Sequence, residues 1–184
     1  MLLDEFALIR MITRPPSAQD RARGVAVGIG DDAAVVDVSP GAQLVLSCDT
    51  MVENVHFKAE TMRDADIGYK AMASNLSDMA AMGARPKYAL VAVSAPERWA
   101  SSRLRDVYEG LYACADRYGV AVVGGDTPRS PSGLILTVTV IGETETGRAL
   151  LRSSAKPGDA VFVTGSLGGA AAGLDYLLRR NAPA

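Results

Sequence analysis

The chain is poor in the residues that most often announce chemistry. Its 184 residues include one histidine and two cysteines. Cys48 and Cys114 stand at no metal-ligand spacing, and His56 has no second histidine or cysteine near it, which argues against a zinc site. A reduced thiol pair in a cytoplasmic protein is the simplest expectation. Net charge is scarce as well. Nineteen Lys and Arg oppose 21 Asp and Glu, for a formal charge of -2, so nothing implies a nucleic-acid partner. No apolar run approaches the length of a membrane span, and no membrane partner is expected. The start, Met1-Leu2-Leu3-Asp4-Glu5-Phe6, is acidic early and lacks the apolar stretch of a signal peptide, so none is expected. Also missing are a Walker A pattern, a serine nucleophile elbow, internal repeats and low-complexity tracts.

What remains is an ordinary globular composition, 48% hydrophobic and 22% charged. The length suits one domain, or one domain plus part of another. Apolar spacing predicts helices over residues 4–12, 66–82 and about 104–118, the first ended by Pro15-Pro16 and the second capped by Gly83. Residues 13–24 read as a loop. Strand-like runs fall at 33–38, 43–48, 88–94, 121–123, 134–141 and 160–164. Ser39-Pro40-Gly41 between the first two is a hairpin signal. The last run leads through Gly165-Ser166-Leu167-Gly168-Gly169 into a helix over 170–180. Those glycines suit either an anion at a helix N-terminus or close strand–helix packing. A dinucleotide fingerprint is rejected, because no later strand or ribose-binding acid follows.

Four acidic positions stand out: Asp78 on a helix, and Asp31-Asp32, Asp49 and Asp126 beside glycines or strand ends. Adjacent carboxylates repel unless a cation or hydrogen bonds offset them, although Gly-Asp-Asp also makes solvated turns. Asp49 ends a strand, where hard oxygen donors suit Mg²⁺ and where a loop-starting Asp is also common. Asp78 lies in a helix of small and apolar residues, with Ser74 and Met82 at i±4 rather than a basic partner. Asp126 follows Gly124-Gly125, glycines that let a backbone approach phosphates. Together they are read as meeting around magnesium and nucleotide phosphates. His56 suits a substrate contact or a surface loop, and Tyr108 a core position or a base-stacking surface.

The motifs carry a resemblance. Glu5-Phe6 with Leu8-Ile9, Gly28-Ile29-Gly30-Asp31-Asp32-Ala33-Ala34, and Asp49-Thr50 with Asn54, His56 and Phe57 resemble the thiamine-monophosphate kinase family. So do Asn75-Leu76-Ser77-Asp78-Met79-Ala80-Ala81-Met82-Gly83-Ala84, Gly124-Gly125-Asp126-Thr127, and Gly147-Arg148-Ala149-Leu150 with Arg152, Lys156, Pro157, Gly158 and Asp159. They occur in order over essentially the whole chain. The family belongs to the ATP-binding superfamily of aminoimidazole ribonucleotide synthetase, selenophosphate synthetase and a hydrogenase-maturation protein.

The resemblance implies an α/β (α+β) fold, with a mixed sheet flanked by helices that dimerises through the sheet. Residues 1–145 would form the ATP/Mg-binding domain, and 146–184 the beginning of a truncated C-terminal α/β domain. It implies transfer of the γ-phosphoryl of ATP to thiamine monophosphate, giving thiamine diphosphate, with Mg²⁺ and ATP. Asp32, Ser47, Cys48, Asp49, Asp78 and Asp126 match metal positions; relatives usually carry Thr at Cys48, whose backbone carbonyl would be the donor, since a thiol is a poor Mg²⁺ ligand. Tyr108, Gly125, Asp126 and Arg152 match nucleotide contacts, and His56 a substrate contact. The alternatives are a fragment that only dimerises and binds Mg-nucleotide, or another superfamily member such as the hydrogenase-maturation relative. That relative typically carries Thr-Val-Asn-Asp where this chain has Asn75-Leu76-Ser77-Asp78.

Overall fold

The computed structural model describes residues 5–15, 17–29 and 33–180. The chain runs α1 (Glu5–Ile12), α2 (Ala18–Ala22), β1 (Val25–Val27), β2 (Val35–Val36), β3 (Ala42–Val52), α3 (Asp64–Ala81), β4 (Arg85–Ser94), α4 (Ser101–Arg117), β5 (Ala121–Asp126), β6 (Ile135–Glu145), a 3-10 turn (Arg152–Ser154) and α5 (Gly169–Arg180). Four strands form a mixed sheet in the order β3-β6-β4-β5, with β6 antiparallel to both neighbours and β4 parallel to β5. The C-terminal ends of β3, β4 and β5 therefore share one edge.

The alternation along β6 shows the layering. Leu136, Val138 and Val140 are buried against α3 and α4, while Thr137, Thr139 and Ile141 between them face the other side. The helices supply Ile67, Met72, Met79, Val107 and Leu111 to the same core. α3 and α4 touch backbone to backbone, and glycine allows it. A Cβ on Gly68 would stand 1.8 Å from the Val107 carbonyl oxygen, and one on Gly110 1.8 Å from that of Ala65. The expected helix cap is present: Gly83 has φ +64 and donates its N–H to the Ala80 carbonyl at 3.1 Å.

Three expectations need correction. Residues 13–24 are not simply a loop. Ser17 and Asp20 make a reciprocal capping box that starts α2, a signal present in the Ser-x-x-Asp spacing. The runs flanking Ser39-Pro40-Gly41 do not form a hairpin. β2 pairs antiparallel with β1, whereas β3 pairs along its whole length with β6. The turn instead places the Ser39 N–H on the Glu143 carboxylate at 2.9 Å, so a contact 104 residues away outweighs the local one. Residues 160–164 are not a strand. They have no neighbouring strand to take their backbone bonds, and Val161 and Phe162 are 97% and 88% exposed. Every described residue from Leu150 to Arg179 is exposed.

The β1–β2 ribbon covers only one end of the open sheet face. The Tyr88 hydroxyl lies 3.0 Å from the carbonyls of both Arg23 and Asp37 and donates to one at a time, tying the ribbon to β4. The rest of that face stays open, with Leu44, Leu46 and Leu90 exposed. Among the described residues no helix is long and apolar enough to cross a membrane.

Candidate functional site

The last two turns of α3 lie along the edge strand β3. Asn75 is fully buried, and its amide is oriented at both ends. Its Oδ1 accepts the Asp49 N–H at 3.0 Å and its Nδ2 donates to the Ala71 carbonyl at 3.1 Å. One helical turn on, Asp78 accepts a short hydrogen bond from the Ser47 hydroxyl. Two side chains three apart on a helix thus engage two residues two apart on a strand. Ser47 and Asp49 share the face that meets α3, as does buried Met51.

Strand alternation sends Cys48 the other way. On the open face its Sγ accepts from the Thr139 hydroxyl at 3.4 Å, and beside it Thr50 meets Thr137 at 2.9 Å. The thiol therefore turns away from Asp78, leaving only the Cys48 backbone on that side.

Asp126 ends β5 at the far edge. The strand register aligns it with Ala92, Thr137 and Thr50 in one row. Three strand steps separate it from β3, about 14 Å at ordinary spacing. By the same alternation it follows the open face, opposite to Asp49. Its Oδ1 accepts the N–H of Thr127 at 2.9 Å. Gly125, just before it, must be glycine for packing alone, since a Cβ there would stand 1.8 Å from the Val91 carbonyl oxygen. Asp31 and Asp32 lie outside the described residues. Among the described residues no group of three or more His, Cys, Asp or Glu is placed to hold a metal, and no ion pair engages Asp49, Asp78 or Asp126.

Tyr108 is 3% exposed on α4 and lines a narrow cavity with Gly125, Asp126 and Thr127. Burial pushes its phenol well above the usual 10.0, so it stays a neutral O–H. Arg152 is exposed and enters no ion pair among the described residues. Two residues earlier, Leu150 is fastened through its N–H to the Met82 carbonyl at 3.0 Å. That contact lies at the end of α3, away from the strand ends that carry Asp126.

His56 sits in a tight loop after β3. Its Nδ1 accepts the Val52 N–H at 3.0 Å, so in the neutral ring the proton is on Nε2. Lys70 donates to the His56 carbonyl at 2.7 Å, and Asn54 adopts φ +66, a conformation Asn tolerates.

Sequence reasoning missed Glu53, beside this loop. Its side chain is only 8% exposed. One oxygen, Oε2, accepts from Arg98 at 2.9 Å, Trp99 Nε1 at 3.1 Å and the Leu134 N–H at 2.8 Å. Burial pushes its carboxyl pKa up, but these hydrogen bonds and the Arg98 charge outweigh burial and hold it below the usual 4.5. The network joins the end of β3 to the start of α4 and to the segment before β6. No local pattern announces it, because every partner is at least 45 residues away.

Comparison with known proteins places these features in context. Residues 30–144 match the family described as AIR synthase related protein, N-terminal domain. The chain is 49% identical over 181 residues to thiamine-monophosphate kinase of Bacillus subtilis, covering 98% of this chain and 55% of that protein. The crystal structure of thiamine-monophosphate kinase from Stenotrophomonas maltophilia aligns with 80% of this chain and 45% of its own at TM-score 0.65 and 43% identity. The structure described as "AaThiL complexed with AMPPCP and TMP" aligns with 100% of this chain and 56% of its own at TM-score 0.72 and 34% identity. The chain spans about half the length of the curated relatives it matches.

Proposed function

The chain belongs to the AIR synthase-related family, and from that premise we propose that it serves the ATP-dependent phosphorylation of thiamine monophosphate to thiamine diphosphate in the cytoplasm. The observation that carries this reading is the likeness, over nearly the whole chain, to the Bacillus subtilis kinase. The free thiols of Cys48 and Cys114 agree with a reducing compartment.

The donor set fits magnesium. Ser47, Asp49 and Asp78 offer hard oxygen ligands on one side of β3, and neither carboxylate is paired with a cation among the described residues. Asp32 and Asp126 complete the proposed set, with Cys48 contributing only its carbonyl. Magnesium, once bound, would screen the phosphate charges so that two anions can meet. The protein's own part is positioning. Asn75 fixes the backbone of Asp49, and Ser47 orients the Asp78 carboxylate. Tyr108, Gly125 and Asp126 hold the nucleotide, and His56 offers Nε2–H to the acceptor phosphate. Arg152 adds a charge-assisted bond to phosphate. The acceptor is already a phosphate, so the transfer is direct and no residue is phosphorylated on the way.

We assign the open sheet face to a second copy of the chain. Leu44, Leu46 and Leu90 are exposed there, beside a groove of about 530 Å³ lined by Val36, Thr137, Thr139 and Ile141. A second copy docked there would let Asp126 of one chain serve the Asp49–Asp78 edge of the other, which their separation within one chain prevents. Residues 1–145 are the nucleotide and dimer domain, and 146–184 open a second α/β domain. The wholly exposed segment from Leu150 onward favours a second reading, in which this chain alone dimerises and binds Mg-nucleotide without turnover.

The test supplies ATP, Mg²⁺ and thiamine monophosphate and measures thiamine diphosphate. Formation by the chain supports the kinase reading outright. Nucleotide binding without product supports the second reading, and failure to bind nucleotide refutes both.

A further inference from the structure

The loop that carries His56 is anchored at both ends and exposed in between. Asn54, Val55 and His56 stand in solvent, whereas the Glu53 side chain and Phe57 are buried. Glu53 and Phe57 form an isolated parallel bridge, and the Asn54 N–H donates to the Phe57 carbonyl at 2.7 Å. The His56 N–H donates to the Val52 carbonyl at 2.9 Å, and the ring turns back so that Nδ1 takes the Val52 N–H.

These bonds fix the shape of the loop. Its place on the sheet comes from Glu53. The Glu53 N–H donates to the Leu134 carbonyl at 2.9 Å, and Oε2 takes the Leu134 N–H in return. The same oxygen takes Trp99 and Arg98, and Arg98 also donates to the Ser132 carbonyl. Lys70 holds the loop as well, at the His56 carbonyl, but from an exposed side chain. We propose that Glu53 is the positioning residue of this loop. Its carboxylate sets where His56 presents Nε2–H, and so how tightly the phosphate of thiamine monophosphate is held. This rests on the reading of His56 as the substrate contact.

The chemistry requires a carboxylate here. Three donors converge on one oxygen, and one of them is cationic. Hydrogen bonds to an ionised acceptor are roughly twice as strong as neutral ones. A glutamine offering its carbonyl bonds more weakly and leaves Arg98 without a counter-charge. Turned the other way, it sets an N–H against the donors. The hold is also local. Asp126 is placed by the pairing of β5 with β4 and by the Thr127 N–H, and neither contact involves Glu53. Loss of the clasp therefore falls on the acceptor and spares the nucleotide.

Amide hydrogen exchange by NMR reads the loop directly, because the Val52 N–H is held by the His56 ring. Glu53→Gln is expected to speed exchange at Val52 and Asn54 roughly tenfold, the worth of one hydrogen bond. Glu143→Gln is the control. Glu143 is another little-exposed carboxylate, bonded to Ser39 and Lys87 at the opposite end of β6. Its loss lowers the melting point but leaves exchange at Val52 unchanged. In titrations, Glu53→Gln weakens thiamine monophosphate binding roughly tenfold and keeps wild-type affinity for Mg-ATP. Arg98→Gln removes the counter-charge alone and shows the same pattern at smaller size.

Exchange at Val52 that is equal in Glu53→Gln and wild type overturns the proposal. So does equal acceleration in Glu143→Gln, or a loss of affinity shared by thiamine monophosphate and Mg-ATP. Should Glu53→Gln fail to fold, Arg98→Gln decides by the same readings. If wild type binds no thiamine monophosphate, the substrate reading of His56 fails, and exchange at Val52 still decides whether Glu53 holds the loop.

Discussion

Two strand-like runs in this chain meet opposite fates. Residues 121–126 read Ala-Val-Val-Gly-Gly-Asp and residues 160–165 read Ala-Val-Phe-Val-Thr-Gly, both β-prone and both running into glycine. The first is β5, paired with β4, with Ala121 and Val123 buried. The second is no strand, and its side chains stand in solvent. β-propensity measures fit to a pleated, half-buried surface, so a run without a neighbouring strand has nothing to fit. The helix after it shows the same thing. α4 buries Leu104, Val107, Leu111 and Ala115 against the sheet, while α5 leaves Leu174, Tyr176 and Leu178 exposed.

The contrast can be broken or sharpened by substitution. The largest effect is expected at the α3–α4 contact. Gly110→Val places carbon within the Ala65 carbonyl and should leave no cooperative thermal transition by circular dichroism. A melt near wild type would mean the helices can separate freely and that the partnered region is looser than described. Next comes Asp78→Asn, which should abolish thiamine diphosphate formation in an active protein while shifting the melting point little. Retained turnover would remove Asp78 from the proposed metal set.

Glu53→Gln should destabilise by about 1–3 kcal/mol at neutral pH, measured by urea unfolding, because three donors lose a charged acceptor. Its pH dependence has a definite sign. A carboxyl whose folded pKa lies below 4.5 stabilises above that value and loses the contribution as pH falls through the folded pKa. Wild type should therefore lose stability below about pH 4.5, and the Gln variant should lack that part of the decline. An identical acid profile in both would show that the network does not hold the carboxylate ionised.

The smallest effect belongs to the unpartnered region. Phe162→Ala should change stability by less than about 0.5 kcal/mol, since the ring is already in water. A larger loss would mean that residues 160–164 pack on something after all.

The residues explain where sequence reading succeeded. α3 and α4 carry regular apolar stripes that only a helix can bury, and Gly83 marks the stop of α3. The outward turn of Cys48 follows from period-two alternation once Ser47 and Asp49 are assigned inward. The acidic positions stood out because carboxylates beside glycines or among alanines lack local partners. What stayed hidden depends on distant segments. Asn75 reads as a polar residue on a helix flank, yet it is fully buried because the free N–H of an edge strand needs an acceptor. Glu53 reads as a loop acid, yet it collects donors from two other segments. Gly125 reads as a phosphate-binding glycine, and its packing against Val91 emerges only when β4 and β5 lie side by side.

By itself the sequence determined periodicity, caps and the inventory of carboxylates, because those depend on neighbours a few residues away. The tertiary structure decided pairing and face. It took β3 from a local hairpin to β6, left 160–164 without a partner, joined Ser47 to Asp78, and put Asp126 three strands from Asp49. Strand partners and burial come from contacts dozens of residues apart, whose loop-closure cost is repaid only when the whole sheet assembles.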